Sequence, residues 1–146
     1  MQSGTQLEQT SRLQDLEEIR ALAHDYARHL DVGDLRAYSQ LFAADGEWVG
    51  GFGSARGSGE IERLVAGHLA ERPAGSSPVY HVLGDILIEF SSADAATGRM
   101  TWMAVGHGDD GAPTIQKFGL YEDNYVREAG SWRFARRLAQ RLIPPL

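Results

Sequence analysis

The sequence contains no cysteine. That excludes disulfides, thiolate nucleophiles and cysteine-ligated zinc, and it suits a reducing cytoplasm, the expected location. No apolar run approaches the roughly 20 residues that a bilayer-spanning helix needs. Residues 1–12 are polar and lack an apolar core, so they are not expected to act as a secretory signal but as a flexible tail. A single domain is expected over residues 13–143. Cations are scarce too, with 14 Lys+Arg against 20 Asp+Glu and a net charge of -6. That balance speaks against nucleic-acid and anionic-membrane partners, which call for a basic surface. No pair among the five histidines (His24, His29, His68, His81, His107) has HExxH spacing or a carboxylate cluster beside it, so no metal is expected. The glycine-rich stretch 50–57 lacks a Gly-Lys-Ser/Thr or GxGxxG pattern, and no parallel strand follows to complete a βαβ unit. It reads as a flexible loop over a pocket mouth rather than a phosphate cradle.

What is present has a clear order. A chain of 146 residues with 42% hydrophobic residues can build one real core. Leu13, Leu16, Ile19, Ala23, Tyr26, Ala27 and Leu30 recur every three or four residues and draw one apolar helical stripe, closed by Gly33. A second helix is expected over 35–42 with Asp34 as its cap. Ala44-Asp45-Gly46 turns into a short strand at 47–49, and Ser58 is expected to cap a third helix over 59–71. Four strands follow, over 79–90, 96–107, 114–127 and 131–142, separated by turn signals such as Asp109-Asp110-Gly111 and Glu128-Ala129-Gly130. Helices first and a meander of long antiparallel strands second indicate an α+β fold, not the alternating pattern of a parallel sheet.

Several residues bear chemistry. Tyr26 lies on the apolar stripe, either as a core tyrosine or with its hydroxyl at a pocket. Asp31 sits at the negative end of the first helix, where a carboxylate calls for a cationic partner unless it is simply solvated. His81 opens an apolar strand. On strict alternation it shares a face with Leu83, Asp85 and Leu87, opposite a core face of Tyr80, Val82, Ile86, Ile88 and Phe90; a bulge near Gly84 would change that assignment. Alone it reads as structural, but a distant aspartate paired with it would fix the imidazole tautomer and make a general acid/base. Tyr121, Asp123 and Tyr125 share one strand face, with Arg133, Arg136 and Arg137 across the turn, which plain cross-strand pairing explains. Trp48, Trp102, Met103 and Phe118 either line a cavity or fill a core.

These residues resemble a family. The segment from Leu16-Glu17-Glu18-Ile19 through Tyr26-Ala27-Arg28-His29-Leu30-Asp31-Val32-Gly33-Asp34 is similar to the opening of SnoaL-like domains. Leu41 to Trp48, His81, residues 119–127 and Gly130-Ser131-Trp132-Arg133-Phe134 continue the likeness. The resemblance implies the nuclear transport factor 2-like fold, a cone-like curved antiparallel sheet (a half barrel) packed against three N-terminal helices and enclosing an apolar pocket, and within it the dehydratase branch that includes scytalone dehydratase and bile acid 7α-dehydratase. It implies Tyr26, Asp31 and His81 as catalytic residues, matching a pocket tyrosine, an aspartate ending the first helix and a histidine on the first long strand. Trp48 stands where those dehydratases carry a pocket tyrosine. His107 and Asn124 stand for a second histidine and an asparagine, and Arg137 for a pocket arginine. With Trp102, Phe118 and Tyr121 these complete the expected substrate-binding set. The implied activity is a cofactor-independent elimination on a small hydrophobic carbonyl or hydroxy compound of polyketide, steroid or terpenoid type. An isomerase or cyclase on the same scaffold is one alternative, with Asp85 as the carboxylate to check. A non-catalytic binding or assembly module, like the small subunit of a ring-hydroxylating dioxygenase, is the other. Homodimers or homotrimers through the outer strands are expected.

Overall fold

The apolar stripe becomes the buried face of α1 (Gln2–Val32), where Ile19, Leu22, Ala23, Tyr26 and Ala27 lie against the sheet. A computed structural model of the chain describes residues 2–146. The helix begins well before Leu13, so most of the expected tail is helical; Leu13 itself is exposed. The Gln, Glu and Leu residues of this stretch favour helix. Its inner end is tied to the sheet by the Arg12 guanidinium, which lies 3.9 Å from the centre of the Phe90 ring and donates to the Ser92 carbonyl at 3.1 Å. Gly33, at φ +79, ends the helix in the left-handed conformation, and the Asp34 N–H returns to the His29 carbonyl at 2.9 Å.

The next helix, α2 (Leu35–Ser39), has the expected cap, since Asp34 Oδ1 accepts from the Ala37 N–H at 3.1 Å. It stops three residues before the expected end because the chain joins the sheet at Phe42. The short strand expected at 47–49 is the longer β1 (Phe42–Gly50). Part of the glycine-rich loop is itself a strand, β2 (Gly53–Arg56), which folds back on β1 with Trp48 opposite Ala55. Ser58 does not cap α3 (Ser58–Ala70). Gly57 takes that position at φ +81, a conformation serine rarely adopts, and no side chain caps the helix.

Four long strands follow: β3 (Tyr80–Phe90), β4 (Ala95–His107), β5 (Pro113–Glu128) and β6 (Ser131–Ile143). The six strands form one curved, open sheet in the order β2-β1-β6-β5-β4-β3. It is not wholly antiparallel as expected: β1 runs parallel to β6, with Trp48 opposite Arg137. A bulge between Leu83 and Ile86 inverts the phase of β3. His81 and Leu83 therefore turn inward with Ile86, Ile88 and Phe90, while Tyr80 and Val82 are exposed on the outside. The concave face then builds in layers. Phe90, Ala96, Tyr125, Phe134 and Phe42 form the closed end, and His81, Ala104 and Lys117 the open end. Asp15 on α1 accepts from Arg127 Nη2 and from Trp132 Nε1, both at 2.9 Å, and locks the helix to the closed end.

Candidate active site

Asp31 and His81 meet across the gap between the C-terminal end of α1 and β3. The Asp31 carboxylate takes the His81 backbone N–H at 3.0 Å on Oδ2, and its Oδ1 lies 2.7 Å from His81 Nδ1. In place of the cation called for at the helix end, Asp31 meets a histidine ring nitrogen and a backbone N–H. With Nδ1 committed to the carboxylate, Nε2 is the ring atom left for other work. The two side chains retain 18% and 14% of their surface, so this end of the sheet is reachable from solvent.

Tyr26 lies deeper and is 2% exposed. Its hydroxyl oxygen accepts from Trp48 Nε1 at 2.9 Å and from the Tyr38 hydroxyl at 2.8 Å. Tyr121, Phe134 and Phe42 crowd its ring, with centroids 5.5, 5.7 and 6.4 Å away. The expected hollow is filled here by aromatic side chains. Beneath them Arg137 is fully buried and held by Asp123, through Nε at 2.8 Å and Nη2 at 2.7 Å. The Tyr125 hydroxyl also donates to Asp123, at 2.7 Å. The Arg137 guanidinium sits 3.8 Å from the Tyr121 ring centre and 4.2 Å from that of Tyr26. Its Nη1 has no hydrogen-bond partner among the described residues.

Burial pushes the phenols of Tyr38, Tyr121 and Tyr125 up, with neighbouring Tyr26 or Asp123 adding to the effect. Below about pH 10 a tyrosine is protonated in both folded and unfolded chains, so stability is unaffected. Above it the unfolded chain ionises while the buried phenols resist, and stability falls as pH rises. Titration past pH 10 is therefore expected to show tyrosinate absorbance rising together with unfolding rather than ahead of it.

Trp102 spreads its indole over Gly119: a Cβ built there would lie 2.3 Å from the Trp102 ring and 2.2 Å from the Gln140 carbonyl oxygen. Gly119→Ala is expected to destabilise the fold by about 1–3 kcal/mol through overpacking, read as a lower Tm with a changed tryptophan emission.

Not every expected site residue arrives. His107 and Asn124 are exposed on the convex side, because strand alternation sends Gly106, Asp123 and Tyr125 inward instead. Phe118 pairs with Met103 between the inward Trp102 and Ala104, and so also faces out. Asp85 falls at the bulge and is exposed. Three inward residues were missed: Tyr38, Lys117 and Arg141. Among the described residues no group of three or more His, Asp or Glu side chains gathers as a metal would need, and no helix is long and apolar enough to cross a membrane. An open groove lined by Arg12, Asp15, Ala93 and Arg127 lies along α1 and shares no residue with the His81 cluster.

A family profile described as SnoaL-like domain matches residues 11–138. The chain belongs to the SnoaL-like domain family. No curated protein is a match by sequence. Among solved structures, this SnoaL-like domain is similar to an NTF2-like protein with a cystatin-like fold from Novosphingobium aromaticivorans, at 28% identity and a TM-score of 0.81, covering 94% of this chain and 88% of that one. A provisionally assigned scytalone dehydratase from the same organism is 24% identical, with a TM-score of 0.75 over 92% and 88% of the two chains. Hexachlorocyclohexane dehydrochlorinase LinA-type3 from Novosphingobium barchaimii is 21% identical, with a TM-score of 0.78 over 91% and 90%. The nuclear transport factor 2-like fold of this SnoaL-like domain is thereby established.

Proposed function

We propose that this SnoaL-like domain is a cofactor-independent lyase of dehydratase type, with His81 as its acid/base. The observation that carries the reading is the 2.7 Å contact between Asp31 Oδ1 and His81 Nδ1. An imidazole held by a carboxylate at Nδ1 presents Nε2 as the base. In the proposed step Nε2 removes a proton from the carbon next to a carbonyl. The electron pair of that C–H bond becomes the new C=C bond, and the β-hydroxyl departs as water with the proton carried by the imidazolium. Tyr26, whose oxygen already accepts from Trp48 and Tyr38, has its own proton to donate toward a substrate oxygen, directly or through water. Arg137, its charge matched by Asp123, packs against the Tyr26 and Tyr121 rings and fixes them in place. The names of two similar structures, a dehydratase and a dehydrochlorinase, denote eliminations, one of water and one of hydrogen chloride.

The aromatic filling around Tyr26 favours a second reading, a non-catalytic binding or assembly module. One assay separates the two. A panel of cyclic and aromatic β-hydroxy ketones is incubated with the protein and followed by the absorbance of the conjugated enone. Enone formation that stops in His81→Asn supports the lyase; no turnover across the panel, with ligand binding retained, supports the binding module.

A further inference from the structure

Two cations at the open end of the concave face have no ion-pair partner among the described residues. Lys117, the chain's one lysine, pairs through its backbone with Ala104, which in turn pairs with His81, so the three stand in one layer. Ala104 is buried on the inner face, and the alternation of β5 turns Lys117 the same way. In the next layer Leu83, Trp102, Gly119 and Arg141 stand side by side. Eight arginines of the chain, Arg137 among them, form ion pairs with acidic side chains, but neither Lys117 nor Arg141 does among the described residues. The Arg141 Nε is nevertheless buried and without a hydrogen-bond partner. So is Trp102 Nε1, on a side chain 8% exposed whose indole lies over Gly119, the residue opposite Arg141. Asp31 lies at this end and is already occupied by His81, and Glu71, whose charge like that of Lys117 reaches His68, forms an ion pair with neither cation among the described residues. Leaving buried donors unsatisfied beside unpaired charge is costly, and such groups are satisfied by ordered water, an ion or a ligand.

We propose that Arg141, Lys117 and the Trp102 indole N–H form an anion subsite that receives a carboxylate or phosphate carried on an apolar or aromatic body. Arginine with an N–H donor beside it fits the in-plane lone pairs of such a group, and lysine adds a point charge at the rim. The subsite rests on the proposed function only in placing the body of the substrate toward His81. Lys117 already acts across this mouth, since its charge, after burial, is a cause that holds the His68 imidazole below its usual range.

The test is calorimetric titration at low salt with three probes of one shape: 2-naphthoate, 2-naphthyl phosphate and neutral 2-naphthamide. The two anions are expected to bind at least about 10-fold more tightly than the amide, a difference of about 1.4 kcal/mol. The tighter of the two identifies the natural head group. Arg141→Met should bring both anions down to the amide, Lys117→Met should remove part of the preference, and Arg141→Lys should restore part of it, which a merely misfolded variant would not. Equal binding of acid and amide, no anion binding to the unaltered protein, or a preference that survives both methionine variants overturns the subsite. The unaltered protein separates the two proposals: an anion preference in a protein that eliminates none of the β-hydroxy ketones leaves the subsite standing and the lyase reading fallen, and elimination without an anion preference does the reverse.

Discussion

His81→Asn is expected to lower kcat on an eliminated substrate by about 10²–10⁴-fold, the usual contribution of a positioned acid/base group. The asparagine amide can still donate to Asp31 in place of Nδ1, but it offers nothing at the position of Nε2. The fold should therefore survive, because what is lost is a side chain at the rim that still retains 18% of its surface. A net hydrogen bond is worth about 1 kcal/mol, so the Tm should move by only a few degrees. A structural histidine would show the reverse pattern, with unchanged chemistry and a large fall in Tm. Measuring kcat and Tm on the same preparation distinguishes the two outcomes.

Asp123→Ala should be the most destabilising single change at the floor of the site. Asp123 and Arg137 are both without exposed side-chain surface, and the aspartate takes Arg137 Nε and Nη2 together with the Tyr125 hydroxyl. Removing it strands a guanidinium among aromatic rings, with the faces of Tyr26, Tyr121 and Phe134 and the Met100 sulfur left to stabilise it. Breaking a buried pair from one side costs about 3–5 kcal/mol. For a chain of this size that is a fall in Tm of roughly 6–20 °C. Arg137→Met in the same background removes the stranded charge and should recover a large part of the loss. Thermal denaturation of the single and double variants reads the coupling directly, and additive losses would contradict the account.

Long-period features of this fold are legible in the sequence. The α1 stripe names its own buried face because a helix repeats every 3.6 residues and tertiary packing only has to accept it. Asp34 as a cap, the four strands and the open helix-then-meander order follow in the same way. Tyr26, Asp31 and His81 were readable as residues of interest, and the contact between the last two depends on a long-range fold that only a family likeness could suggest.

What failed is strand phase. Alternation is binary, so a single unpaired residue flips everything beyond it. The bulge between Leu83 and Ile86 sends His81 inward together with the very residues, Ile86, Ile88 and Phe90, that strict alternation set against it. The shift between Ala104 and Val105 does the same around Gln116: Lys117 stays in phase with Gly119 and Tyr121 on the inside, while Ile115 beyond it is exposed. His107, Asn124 and Phe118 were placed in the site by analogy of type, and their parity puts them outside. Arg141 and Tyr38 carried no local signal. An arginine near the end of a strand reads as a solvated charge, and a tyrosine in a five-residue helix reads as filler. The parallel β1–β6 pairing was hidden because β1 is short in apolar residues and separated from its partner by most of the chain.

The account stands most directly on one tautomer. A ¹⁵N correlation spectrum of the uniformly labelled protein at mildly alkaline pH, with His81 assigned by its disappearance in His81→Asn, reports which ring nitrogen carries the proton. The account predicts a protonated Nδ1 facing Asp31 and a bare Nε2, and loss of that preference in Asp31→Asn. A spectrum with the proton on Nε2, unchanged in Asp31→Asn, would mean that the carboxylate does not orient the ring and that Nε2 is not a base.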